Sequence, residues 1–197
     1  INGTGHASLW SSSDFKNWSY ENAIWGNVPG HTPMWECPDF FPLGDYHVIK
    51  ASVDGDWWTY GQWDQSALKF SPISDFTKVD SGKYYASKSF HDPIKKRQII
   101  WGWVAEEDSN GMKRGWASVQ SLPRTISIDE ELKIVTSTPI EELSLLRELP
   151  GYHQENIKVK AGDTHTLPVS GDQVEILAEF TVTSGSFGMY VKASDDG

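Results

Sequence analysis

The sequence predicts an all-β fold: part of a β-propeller followed by the start of a β-sandwich. Three observations carry this prediction. Short apolar runs alternate with turn residues through the first part of the chain. Two successive groups of runs each supply about four antiparallel strands in roughly 45 residues, the size of one propeller blade. All ten tryptophans fall between Trp10 and Trp116, and residues 117–197 contain none. Such a break in composition marks two domains with different tasks.

The first group opens with 33-PMWECPDFFPLG-44. Residues 45-DYHVIKASV-53 and 56-DWWTYGQW-63 then form a hairpin, because Asp54-Gly55 between them is a strong two-residue turn signal. Residues 67-ALKFSPIS-74 give a weaker outer strand. The second group repeats this grammar. It opens with 80-DSGKYYASKSF-90, turns at His91-Asp92-Pro93, returns along 97-RQIIWGWV-104 and loops through 106-EEDSNGMKRG-115. It continues with 116-WASVQSL-122 and ends on the pair 124-RTISI-128 and 131-ELKIV-135. The first strand of a propeller blade lies innermost, so the two opening segments are expected to face one cavity.

Next, 139-PIEELSLLRELPG-151 shows a short helical pattern (Leu143, Leu146, Leu149) that stops at Pro150-Gly151. Beyond it, 174-VEILAEFTV-182 and 186-SFGMYVKAS-194 alternate with period two around a Ser184-Gly185 turn, as the first strands of a β-sandwich do. The expected division is propeller over 1–138, a helical linker over 139–153 and sandwich over 154–197. Two strands make no stable sandwich alone, and the chain does not begin with methionine, so it reads as the middle of a longer protein.

Composition narrows the function. The 197 residues are 38% apolar and 13% aromatic, enough to bury a sizeable core. There is neither an apolar run of about 18 residues, as a membrane span requires, nor an N-terminal signal pattern. The net charge of −10, with 95-KKR-97 as the one basic cluster, argues against nucleic acid and favours a neutral ligand or a small cation. Cys37 is the single cysteine, which excludes an internal disulfide. The six histidines lack zinc-site spacing. Two sequons, at Asn2 and Asn17, mark expected glycosylation and a secretory route.

Glu36 stands out because a glutamate between tryptophan and cysteine, just ahead of two phenylalanines, is in apolar company. It is either a functional acid, the partner of a cation, or a solvent-facing residue on an edge strand. Trp57, Trp58, Trp101 and Trp103 suit sugar faces but suit packing between blades better. The acidic groups 106-EED-108 and Asp54/Asp56 read as solvated loops, since no calcium-loop pattern is present.

Three segments carry a resemblance in order along the chain: M-W-E-C-P-D-F-F at 34–41, D-x-G-K-x-Y-A-S-K-x-F at 80–90 and I-x-W-G-W at 99–103. With S-S-D-F-K-N-W at 12–18 and G-W-A-S-V-Q-S-L-P-R at 115–124, they resemble glycoside hydrolase family 32, the invertases and fructan hydrolases, in its plant-like acid invertase form. The resemblance implies a five-bladed propeller followed by a β-sandwich, and a retaining enzyme acting on terminal β-D-fructofuranosyl residues, sucrose above all. It implies Glu36 as general acid/base. A retaining glycosidase needs one carboxylate as nucleophile and one carboxylic acid to protonate the leaving oxygen. Apolar packing by Trp35 and Phe40, and the weakly polar thiol of Cys37, would tune that acid by disfavouring its ionised form.

By the same resemblance, Asp80 and Lys83 in D-x-G-K meet the leaving sugar, with Lys83 anchoring Asp80 by charge, and Trp35 lines the substrate site. Asp39 is expected to brace its own loop through backbone N–H groups. The family's stabilising aspartate lies in R-D-P. Asp92 in 90-FHDP-93 imitates that motif, but it sits where relatives carry a hairpin and reads as a turn residue. Neither R-D-P nor the nucleophile-bearing N-D-P-N-G occurs in the sequence, and both are expected ahead of Ile1. No cofactor or metal is expected. The expected partner is a small carbohydrate, with neither nucleic acid nor membrane insertion. The alternatives are a fructan exohydrolase or fructosyltransferase on the same scaffold, or a catalytically dead carbohydrate-binding homologue.

Overall fold

The structure is a computed structural model that describes residues 5–31, 34–106, 111–148 and 150–191. The sequon at Asn2 therefore lies outside the described residues, as do Leu149 and parts of the 106–115 loop and the 186–194 segment. The chain divides into two compact units, Ile1–Glu141 and Glu142–Gly197.

The described residues of the first unit form three antiparallel sheets. β1 (His6–Ser11) and β2 (Ser19–Gly26) form a two-stranded ladder. β3 (Glu36–Leu43), β4 (Tyr46–Ser52), β5 (Asp56–Asp64) and β6 (Lys69–Pro72) follow one another across the second sheet, and the short β7 (Thr77–Lys78) also pairs with β5. The third sheet contains β8 (Tyr84–Asp92), β9 (Arg97–Val104), β10 (Val119–Gln120), β11 (Arg124–Asp129) and β12 (Ile134–Pro139). Its order is β8-β9-β11-β12, with β10 sharing one edge of β9 with β11. The second and third sheets, each five-stranded once the short β7 and β10 are included, thus correspond to the two blades expected from the sequence, with the Asp54-Gly55 turn joining β4 to β5.

One ladder was not anticipated, and two local expectations need correction. The β1–β2 ladder lies where the sequence shows no clear alternation, because register shifts at Ala7/Ser8 and Leu9/Trp10 interrupt the period of two. Within 116–122 only Val119–Gln120 forms a strand. Pro123 has no N–H to give to the ladder, and Ser121 instead accepts the Gly102 N–H on its hydroxyl, at 3.1 Å. Strand β12 starts later than expected, because Asp129 Oδ1 accepts the Leu132 N–H at 2.9 Å and commits 130–133 to a turn.

Packing explains the apolar runs. Val48 and Ile49 are adjacent in β4 and both buried, because β4 has a layer on each side. On one side Ile49 and Phe70 meet Ala7 and Ile24 of the first ladder. On the other, Val48, Trp58 and Tyr60 meet Tyr84, Ile100, Ile126 and Val135 of the third sheet. Gly102 in W-G-W is required here. A Cβ on it would stand 2.3 Å from the Tyr84 ring, which lies across β9 at that point. Trp58 is core, Trp101 stacks on Phe90 with centroids 5.4 Å apart, and Trp103 is about half exposed.

A 3-10 turn covers Glu141–Leu146 at the division between the units. The leucine spacing of three is the 3-10 period rather than the α period. In the second unit Arg147 grips the Glu175 carboxylate with two nitrogens, Nη2 to Oε1 at 2.8 Å and Nε to Oε2. Described residues 150–191 contain no strand, so the alternation at 174–182 forms no ladder. An isolated strand pair has too little to bury, and Val174, Leu177 and Tyr190 remain exposed. No helix among the described residues is long and apolar enough to cross a membrane.

Candidate active site

β3 and β8 open the two blades, and each contains a bulge at the same point. From Glu36 to Asp39 three steps on β3 oppose two on β4, Ser52 to Lys50. From Tyr85 to Lys88 three steps on β8 oppose two on β9, Trp103 to Trp101. The extra residue bends the strand and re-aims its side chains. In both bulges a non-glycine residue takes positive φ: Cys37 at 44° and Ala86 at 51°. Residues 35-WECPDFF-41 and 84-YYASKSF-90 are therefore structural equivalents in successive blades.

Equivalent positions then meet across the blade interface. The Tyr85 hydroxyl donates to Glu36 Oε2 at 2.6 Å. Asp39 Oδ1 lies 3.4 Å from Lys88 Nζ, and Asp39 Oδ2 accepts the Ser89 N–H at 2.7 Å. Lys88 Nζ also donates to the Pro38 carbonyl at 2.8 Å. The two opening segments come together as expected. Asp39 does bond a backbone N–H, but one from the neighbouring blade rather than from its own loop. The Glu36 hydrogen bond pushes the Tyr85 phenol up to about 12, so it remains a donor through neutral and acid pH.

The surroundings of Glu36 are less apolar than expected. Phe40 does not pack on it: the Phe40 ring lies against His47, Trp63 and Phe70 on the side of the first ladder. Trp35 stacks on Phe76 at 5.6 Å and leans on Trp25 at 5.4 Å. Glu36 itself is exposed, with its carboxylate reachable from solvent. Alternation explains the outcome, since Phe40 and Glu36 lie on opposite sides of a bulged strand. Cys37 is half-buried at the bulge.

Asp80 lies just ahead of β8. Its Oδ1 accepts the Gly82 N–H at 2.7 Å and its Oδ2 accepts Arg124 Nη1 at 2.7 Å. Partial burial pushes Asp80 up, but the Gly82 N–H and the Arg124 guanidinium outweigh it and leave the carboxyl below its usual range. Arg124 also lies over the Tyr84 ring, 5.0 Å from its centroid. Arg124 is thus a cation on Asp80 that the sequence reading did not name. Lys83 sits in the same turn and its carbonyl accepts the Ala105 N–H at 3.0 Å. Asp92 is a turn residue: Oδ1 accepts the Ile94 and Lys95 N–H groups, and Oδ2 pairs with Arg97 at 3.0 Å.

Two further groups escaped the sequence reading. Tyr85 was legible only by aligning the two blade openings with each other, which sets Glu36 against Tyr85 and Asp39 against the opposite charge of Lys88. Asp56 does not sit in a solvated loop; it is buried beside Lys50, Oδ2 to Nζ 3.7 Å, with both side chains fully inaccessible.

The chain is similar to a group of known proteins. Residues 1–139 match the family model for the glycosyl hydrolases family 32 N-terminal domain. The acid beta-fructofuranosidase of Vigna radiata var. radiata is 32% identical over an alignment covering 100% of this chain and 34% of that protein. The vacuolar acid beta-fructofuranosidase 2 of a Rosa hybrid cultivar is 34% identical, over 91% of this chain and 32% of its own length. Among solved structures, a variant of fructan 1-exohydrolase IIa from Cichorium intybus in complex with 1-kestose superposes with a TM-score of 0.67 at 34% identity, over 75% of this chain and 32% of that one. The chain spans about a third of the length of these relatives.

Proposed function

The chain belongs to glycosyl hydrolase family 32, and from that premise we propose that the complete protein is a retaining β-fructofuranosidase that hydrolyses sucrose, with Glu36 as general acid/base. The observation that carries this reading is the Glu36 carboxylate itself. It is open to solvent at the start of β3, in the W-E-C-P-D segment, and tied by Tyr85 to the next blade. A proton donor must be reachable by the leaving oxygen and fixed in direction. The Tyr85 hydrogen bond occupies one carboxyl oxygen and leaves Oε1 to carry the transferable proton.

In the first step Glu36 gives its proton to the glycosidic oxygen while a second carboxylate attacks the fructosyl carbon. In the second, Glu36 takes a proton from water, which cleaves the covalent intermediate. We assign the attacking carboxylate to a segment other than those described here. Asp80, steadied by Arg124, keeps further lone pairs for hydroxyls of the leaving sugar, with Lys83 beside it and Trp35 as an apolar wall. Cys37 packs at the bulge that carries the acid and is the residue we assign to tuning it. An alkaline limb of kcat/KM left unmoved by Cys37→Ala contradicts that role.

A second reading, a fructan exohydrolase, is favoured by the likeness to the 1-kestose complex. Secretion to the vacuole or cell wall is supported by the vacuolar relative and by the exposed sequon at Asn17, whose amide donates to Asp14 Oδ2 at 2.8 Å. The test is to incubate the complete protein with sucrose and follow the released fructose by NMR. β-Fructofuranose appearing first supports a retaining hydrolase. Glucose without free fructose indicates transfer, and no release contradicts the proposal.

A further inference from the structure

The buried Lys50–Asp56 pair has no part in the chemistry above, yet both of its ends converge on one residue of the next blade. Asp56 Oδ2 accepts the Ser87 N–H at 2.8 Å, and Lys50 Nζ donates to the Ser87 carbonyl. The other oxygen of Asp56 accepts the Ser52 hydroxyl at 2.5 Å. Ser52 and Ser87 are themselves fully buried.

Charges so placed carry a heavy desolvation cost. Apolar residues of equal volume are often as stable or more so. Burial pushes the Lys50 ammonium down, against the upward pull of Asp56 and then of Asp39. What the pair secures is therefore informative. Ser87 directly follows Ala86, the bulge residue at φ 51°. An L-residue is sterically disfavoured there and persists only where its surroundings over-determine it. Fixing both the N–H and the C=O of the next residue supplies that constraint. Ala86 in turn directly follows Tyr85.

We propose that Lys50 and Asp56 are positioning residues for the candidate acid: by clamping the Ser87 backbone across the blade interface, they maintain the Ala86 bulge that aims the Tyr85 hydroxyl at Glu36. Its catalytic consequence rests on the reading of Glu36 as the acid, whereas the clamp itself is geometric.

The test uses the complete protein labelled with 3-fluorotyrosine, the Tyr85 resonance being identified by its loss in Tyr85→Phe. Glu36→Gln provides the reference shift for a disturbed contact. Asp56→Asn and Lys50→Met should each move the Tyr85 resonance and lower kcat/KM on sucrose by up to about tenfold, no more than loss of the Tyr85 hydroxyl itself does. In a Tyr85→Phe background they should lower it little further. A Tyr85 resonance unmoved in the folded variants, or losses fully additive with Tyr85→Phe, overturns the proposal. If neither variant folds, Ser52→Ala removes only one hydrogen bond from Asp56 and should move the same resonance by less; no movement overturns the clamp. If Glu36→Gln leaves hydrolysis intact, the reading of Glu36 falls, while the fluorine measurement still decides the clamp.

Discussion

Glu36 and Tyr85, 49 residues apart, occupy the same position in successive blades, and the Tyr85 hydroxyl donates to Glu36 Oε2 at 2.6 Å. The hydrogen bond to the carboxylate pushes the Tyr85 phenol up to about 12. A donor of this kind fixes the direction of the carboxyl group. Tyr85→Phe should therefore lower kcat/KM on sucrose about tenfold, the equivalent of ~1.4 kcal/mol. Measuring kcat/KM on both proteins checks this. Full activity in the variant reduces Tyr85 to a packing residue.

Asp80 and Arg124 give a pH-dependent contribution to stability. The folded Asp80 carboxyl titrates below its unfolded value, the Gly82 N–H and Arg124 outweighing desolvation. The folded state thus releases this proton more readily, so the contribution is present above the unfolded pKa of 3.8 and is lost as pH falls through the lower folded value. Arg124→Gln should cost about 0.2–1 kcal/mol at neutral pH, as a partly exposed pair does. The gap in Tm between the two proteins should narrow below pH ~4. A gap that stays constant down to pH ~2 contradicts the assignment.

Donor choice is expected to rest on Asp80 and Lys83. Sucrose places glucose on the leaving side of the bond, and a fructan places another fructose there. A site built to bond one hydroxyl pattern discriminates against another. Asp80→Ala and Lys83→Ala should each lower kcat/KM for sucrose more than for inulin-type oligomers, by roughly ten- to a hundredfold per lost charged hydrogen bond. An unchanged sucrose-to-fructan ratio makes the D-x-G-K turn structural.

Gly102→Ala tests the packing behind the site. Its Cβ would meet the Tyr84 ring at 2.3 Å, and such overpacking costs about 1–3 kcal/mol. Thermal unfolding should show a clear fall in Tm. An unchanged Tm means that the ring shifts without cost.

Much of this was legible in the sequence, for identifiable reasons. Asp54-Gly55 between two alternating runs dictated the β4–β5 hairpin. The repeated blade grammar brought 33–44 and 80–90 together, and Glu36 stood out by its company. The partner of Glu36 was hidden because both bulges turn on non-glycine residues, Cys37 and Ala86, at positive φ. Such residues carry no turn signature. Lys50 was hidden too, since a lysine in an alternating strand reads as solvent-facing, and its partner Asp56 follows a turn that reads as polar loop. The strands expected at 174–182 and 186–194 were read from alternation alone. Alternation specifies which face is apolar but supplies no partner sheet.

The central claim is that Glu36 delivers the proton, and Glu36→Gln in the complete protein tests it most directly. The substitution preserves shape and removes the transferable proton. Hydrolysis of sucrose should fall roughly 10²–10⁴-fold. A fructosyl donor whose leaving group departs without protonation should lose far less in its first step. Measuring kcat/KM for both donors on both proteins decides the matter: a large loss on sucrose with a small one on the activated donor supports Glu36 as the acid, and equal losses contradict it.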